Sequence, residues 1–119
     1  MTSKQIAEIL RLVRLPYSTE LILQNAVAEV LQSSGVEFSR EHRFDGRDRV
    51  DFLISGGIAL ECKVDGPATS ALSQMMRYAE HDEVKSIILV TCRARHMTEM
   101  RDFDTIMGKP FHIVWAAAL

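Results

Sequence analysis

The chain of 119 residues has only two cysteines and three prolines, and 7% of it is aromatic. Cys62 and Cys92 each stand inside an apolar run, with no CxxC pair and no Cys/His cluster, so neither a disulfide framework nor a zinc site is predicted. A reduced, cytoplasmic protein is the expectation. No apolar run reaches the length of a membrane span. The opening stretch MTSKQIAEILRLVRLP threads Lys and Arg through an amphipathic pattern, without the apolar core or small-residue cleavage site of a signal peptide. Positive charge is not in excess either. The net charge of -2 offers no global field for a polyanion, although a local basic patch remains compatible with it.

What is present is an ordinary globular composition, 47% hydrophobic and 25% charged, which predicts one domain over 1–119. Ile6, Ile9, Leu10 and Val13 recur at helical spacing over residues 3–14, and Pro16 ends that helix. Ser18 or Thr19 can cap a second helix with Glu20 in its first turn. Leu21, Leu23, Val27, Val30 and Leu31 carry it to Ser33-Ser34-Gly35. Three strands follow: VEFSREHRF, then Val50–Ile54 after the Asp45-Gly46-Arg47-Asp48 turn, then Ile58–Val64 after Ser55-Gly56-Gly57. Their short links predict an antiparallel meander. Leu72, Met75, Met76 and Ala79 mark a third helix ending near His81-Asp82, with the Met pair as filler of a core or interface. Ser86–Cys92 reads as a strand covered on both faces. A weaker helix is expected over Thr98–Met107 and a last strand over Phe111–Ala117. The order α-α-β-β-β-α-β-α-β predicts an α/β fold, a mixed sheet flanked by helices.

Three charges interrupt strands that otherwise want to be core. Strand alternation puts Ala59, Glu61 and Lys63 on one face and Ile58, Leu60, Cys62 and Val64 on the other. In the preceding strand Asp51 shares a face with Leu53, while Val50, Phe52 and Ile54 take the opposite one. The short turn brings Asp51 near Glu61. Two carboxylates held together raise a pKa unless a cation lies between them, and a hard divalent ion with oxygen preference fits that need. The neighbouring ammonium of Lys63 suits an attacking water or a developing phosphate charge. A lone E-x-K is otherwise an ordinary surface ion pair. The acid on the adjacent strand, the short turn and the clean apolar opposite face favour the site.

Asp51 followed by Glu61-Cys62-Lys63 resembles the signature of the PD-(D/E)XK nucleases, over roughly residues 19–92. Gln74 and Tyr78 resemble the Q-x-x-x-Y element that some branches carry on the next helix; at i and i+4 they share one helical face. Val50 stands where proline is usual before the aspartate. The length and the ECKVDGPAT stretch are most similar to small stand-alone virus-type replication-repair nucleases, and next to archaeal-type Holliday junction resolvases. The resemblance implies a restriction-endonuclease-like α-β-β-β-α-β core, with an extra N-terminal helix and a C-terminal α-β extension.

The resemblance also implies a Mg2+- or Mn2+-dependent endonuclease that hydrolyses DNA phosphodiesters, with structure-specific cleavage within its range, of a kind that suits a phage or mobile element. It implies Asp51, Glu61 and the Cys62 main-chain carbonyl as metal ligands, with Glu29 as an added ligand from the preceding helix. Lys63 orients water or offsets charge, and Gln74 and Tyr78 touch the phosphate backbone or support Lys63. Arg40, Arg43, Arg47, Arg49 and Arg77, with Arg93 and Arg95 beside His96, form an expected phosphate-contacting rim. Relatives of this size pair, so a homodimer through FHIVWAAAL and the Met-bearing helix is expected. The rival reading is a nucleic-acid-binding or accessory protein that kept the fold without turnover; the third is an interaction module whose charges are surface pairs.

Overall fold

The computed structural model describes residues 1–118. Helix α1 (Ser3–Arg11) opens with a capping box, in which the Thr2 hydroxyl accepts from the Gln5 N–H and the Gln5 side chain accepts from the Thr2 N–H. Helix α2 (Glu20–Ser33) is capped by Thr19, whose hydroxyl accepts from the Ile22 N–H at 3.1 Å. Such a cap is worth about 1 kcal/mol. Glu20 stands in the first turn, where the helix dipole favours an anion.

Strands β1 (Phe38–Arg43), β2 (Arg49–Ile54) and β3 (Ile58–Lys63) form the expected antiparallel meander. Helix α3 (Ala68–Ala79) then crosses to β4 (Ser86–Thr91), which lies parallel to β3. Helix α4 (Ala94–Met100) leads to β5 (Thr105–Ile106) and β6 (Lys109–Trp115), and one 3-10 turn (Ala116–Ala118) ends the described chain. The mixed six-stranded sheet runs β1-β2-β3-β4-β6-β5.

Helices cover both faces of the sheet. On one side α1 and α2 bury Ile6, Leu10, Leu23, Val27 and Leu31 against Phe52, Ile54, Leu60, Cys62, Ile88 and Val90. On the other, α3 and α4 bury Met75, Tyr78 and Met100 against Ala59, Ile87, Leu89 and Phe111. All six residues of β4 are buried, as an apolar parallel strand between two helical layers must be.

Three expectations change. The segment 98–107 is not one helix. Helix α4 starts at Ala94, and Thr105–Ile106 pairs with Lys109–Pro110 in a hairpin. Its two-residue turn, Met107-Gly108, has φ of 52° and 78°, and both signs match the twist of tight hairpins. A methionine is an unusual occupant of that conformation, so the turn left no sequence signal. Helix α1 stops at Arg11, not at residue 14, and Leu12 beyond it is exposed. Of the Met pair, Met75 is buried and Met76 is exposed, because successive helix residues point about 100° apart.

Gly57 in the β2–β3 connection is required by geometry. Its φ is 76°, and a Cβ there would lie 2.6 Å from the Glu83 carbonyl oxygen. The Gly57 carbonyl accepts the Lys85 N–H at 2.7 Å, which ties this turn to the start of β4.

Candidate active site

The β2–β3 ladder pairs Ile54 with Ile58, Leu53 with Ala59 and Phe52 with Leu60, and goes no further. At the next position side chains replace the backbone rungs. The Asp51 N–H donates to Glu61 Oε1 at 2.9 Å, and the Cys62 N–H donates to Asp51 Oδ2 at 2.8 Å. The two carboxylates thus interlock reciprocally in the opening between the strands. The local rotation of β2 also moves Val50. Expected beside Phe52 and Ile54, it packs instead on the α3 side with Ala59 and Tyr78. Strand residues present N–H and C=O to the same side. The Cys62 carbonyl therefore opens toward Asp51, while its thiol is buried and held well above the usual range, chiefly by desolvation.

Glu61 is only 3% exposed. Desolvation, then the Asp51 charge, pushes its pKa up to about 8. Asp51 is also raised, first by desolvation and further by the Glu20 carboxylate. Lys63 Nζ lies 3.5 Å from Glu61 Oε2. Tyr78 is buried against the same oxygen at 3.2 Å and donates to the Arg49 carbonyl at 2.8 Å, while the Gln74 amide donates to the phenol oxygen at 2.8 Å. A phenol has one hydrogen. With that hydrogen on the Arg49 carbonyl, Tyr78 can accept from a protonated Glu61, the form its raised pKa favours at neutral pH. Burial drives the Tyr78 pKa far above its usual value, so the phenol stays neutral.

Asp51, Glu61, Cys62, Lys63, Gln74 and Tyr78 are therefore brought together as the sequence predicts. Glu29 is not among them: it is exposed on α2. The α2 acid whose charge reaches Asp51 is Glu20. Nine residues separate the two, about 13.5 Å along the axis and half a turn around it, so one helix cannot aim both at one point. Glu20 was visible in the sequence as a first-turn acid, but only packing reveals which end of α2 meets β2.

The arginines divide into three groups. Arg43, Arg47, Arg49 and Arg77 line a hollow of about 350 Å³ together with Gln74 and Tyr78. Asp48, on its wall, pairs with Arg77 at 3.3 Å and with His81 at 2.9 Å, and its pKa is lowered mainly by His81. Arg93 and Arg95 line a separate hollow. Arg40 belongs to neither, since it donates to Asn25 of α2 at 3.0 Å and lies 5.4 Å over the Phe52 ring. His96, next to Arg95, is fully buried. Its Nδ1 accepts the Thr91 hydroxyl at 2.7 Å and its Nε2 donates to the Gly66 carbonyl at 2.9 Å. Desolvation lowers its pKa, which makes it a neutral brace between β4 and the start of α3.

No group of three or more His, Cys, Asp or Glu side chains is poised for a metal among the described residues. The oxygen set at the opening consists of two carboxylates and one carbonyl. No described helix is long and apolar enough to cross a membrane. Compared with known proteins, the chain matches no family model, no curated protein and no solved structure.

Proposed function

We propose that this chain is a divalent-metal-dependent nuclease that hydrolyses phosphodiesters of DNA. One observation carries the reading. A buried acid, Glu61, and a half-buried one, Asp51, interlock at an opened sheet ladder, with an ammonium 3.5 Å from Glu61. A fold that merely needed surface charges would leave them in water, because confining two carboxylates costs free energy that no described cation offsets in full. The α-β-β-β-α-β order from α2 to β4 is the one a restriction-endonuclease-like core would have, and it supports the same reading.

The donor set fits a hard ion. Asp51, Glu61 and the Cys62 carbonyl would hold Mg2+ or Mn2+, all oxygen donors, with open positions left for water. Such an ion supplies Lewis-acid polarisation of the phosphoryl oxygen and a lowered pKa for bound water. The chain supplies the rest. Glu61, holding a proton against Tyr78 at neutral pH, would release it to solvent on serving as a ligand. Tyr78, fixed by Gln74 and the Arg49 carbonyl, sets the direction of Oε2. Lys63 offsets negative charge gathering at phosphorus or positions the attacking water. The Glu20 charge reaches Asp51 from the α2 side. A homodimer, giving one site per strand of a duplex, belongs to the same reading, and light scattering tests it.

Calorimetric titration with Mn2+ is the first test. The wild type should bind and Asp51→Ala should not. Cleavage of linear, nicked, flapped and four-way DNA then follows. Metal binding without turnover on any of them would favour the accessory-protein reading. No Mn2+ binding at all would overturn the metal site.

A further inference from the structure

Three hollows join along the outer face of α3. The arginine-lined one beside Tyr78 shares Gln74 and Arg77 with a second, of about 450 Å³, walled by Thr69, Ser70 and Ser73. The second shares Thr69 with a third, of about 330 Å³, which carries Arg93 and Arg95. From Thr69 to Arg77 the helix rises about 12 Å. That is several times the ~3.4 Å per phosphate along one strand of a duplex.

The chemistry of this trough is uniform. Residues 66–79 contain no Asp or Glu, and the exposed stripe at i, i+4 spacing is Thr69, Ser73 and Arg77 beside Ser70 and Gln74. The acids on the walls are Asp48, already held by His81 and Arg77, and Glu99 at the far end. Arg43, Arg47, Arg49, Arg93 and Arg95 make no ion pair among the described residues. Guanidinium groups crowded at both ends of a hydroxyl-lined channel, with few anions to answer them, suit a polyanion that threads between them. No aromatic ring faces the middle hollow, so nothing there stacks on a base.

We propose that this trough is the path of one nucleic-acid strand, whose phosphates are held by the Thr69, Ser70 and Ser73 hydroxyls between the two arginine groups. The inference rests on the phosphodiester reading and adds the strand's course: past Tyr78, where Glu61 waits, and along α3 to Arg95. Contact is with backbone, so binding is indifferent to sequence.

The test is fluorescence anisotropy with labelled DNA in EDTA, where no cleavage occurs, across a salt series. Ser73→Glu and Thr69→Glu each place an anion in the trough. Neither harms α3, since Glu is a better helix former than Ser or Thr, and at position 69 it stands in the first turn, where an anion is favoured. Gln32→Glu, exposed on α2 across the sheet, makes the same charge change as a control. The trough variants should bind at least about tenfold more weakly, and Gln32→Glu should stay within about twofold of the wild type. Arg95→Gln should lower the slope of log K against log salt by about one. Trough variants that bind like the wild type, while the wild type binds DNA and Mn2+, would overturn the trough alone. A wild type that binds neither would overturn the nuclease reading and the trough with it.

Discussion

Replacing Glu61 with glutamine should remove most of this protein's loss of stability toward alkali. The folded chain holds the Glu61 proton far more tightly than an unfolded chain does. A pKa raised on folding contributes stability that is fully present below the unfolded value and is lost as pH rises through the folded one. Here that window runs from 4.5 to about 8. At 1.36 kcal/mol per pH unit, the full interval is worth about 5 kcal/mol, with burial as its main cause. Asp51, also raised, acts in the same direction. Glutamine mimics the neutral acid. Its Oε1 can accept the Asp51 N–H and its Nε2 can donate to the Tyr78 oxygen. Urea midpoints of wild type and Glu61→Gln should therefore nearly coincide at pH 4 and separate by roughly 2 M at pH 9, with the variant the more stable. His96, whose lowered pKa removes stability as pH falls below 6.5, affects both proteins alike and drops out of the difference. A second readout comes from the cation. At pH 7 most molecules carry the Glu61 proton. Mn2+ binding should release close to one proton, read by calorimetry in two buffers. Parallel urea curves from pH 4 to 9 would refute the reasoning.

Lys63→Ala should keep its thermal transition and its Mn2+ affinity yet lose at least about 100-fold in DNA nicking; an active variant would remove Lys63 from the mechanism. Glu20→Gln should let the Asp51 pKa fall, since one source of its rise is gone, and should weaken Mn2+ binding if Glu20 joins the acidic set; an unchanged Mn2+ isotherm leaves Glu20 a neighbour only. Gly57→Ala should cost about 2 kcal/mol or more in denaturant unfolding, because its φ of 76° disfavours a side chain and backbone oxygen stands 2.6 Å from the new carbon. Equal stability would mean that the turn relaxes freely.

Much of this arrangement was legible one residue at a time. Periods of 2 and 3.6 are local properties of a chain, so they placed α2, the meander, α3 and β4 in order. Alternation set Glu61 and Lys63 on one face with Cys62 behind them, and i, i+4 spacing put Gln74 with Tyr78. Other features depend on how elements meet. The ladder opens at Asp51 because two carboxylates take over backbone donors there, and that exchange also turned Val50 away from Phe52. Glu20 and Glu29 look alike in a helical pattern; the azimuth and docking of α2 distinguish them. Seven arginines read as one basic rim, yet β1, β2 and the loop between them, α3, and the entry to α4 deliver six to two hollows, and Arg40 goes to α2. Local sequence thus determined which groups could do chemistry. Register, helix azimuth and strand order, which arise from burying apolar faces against one another, decided which of those groups share a site.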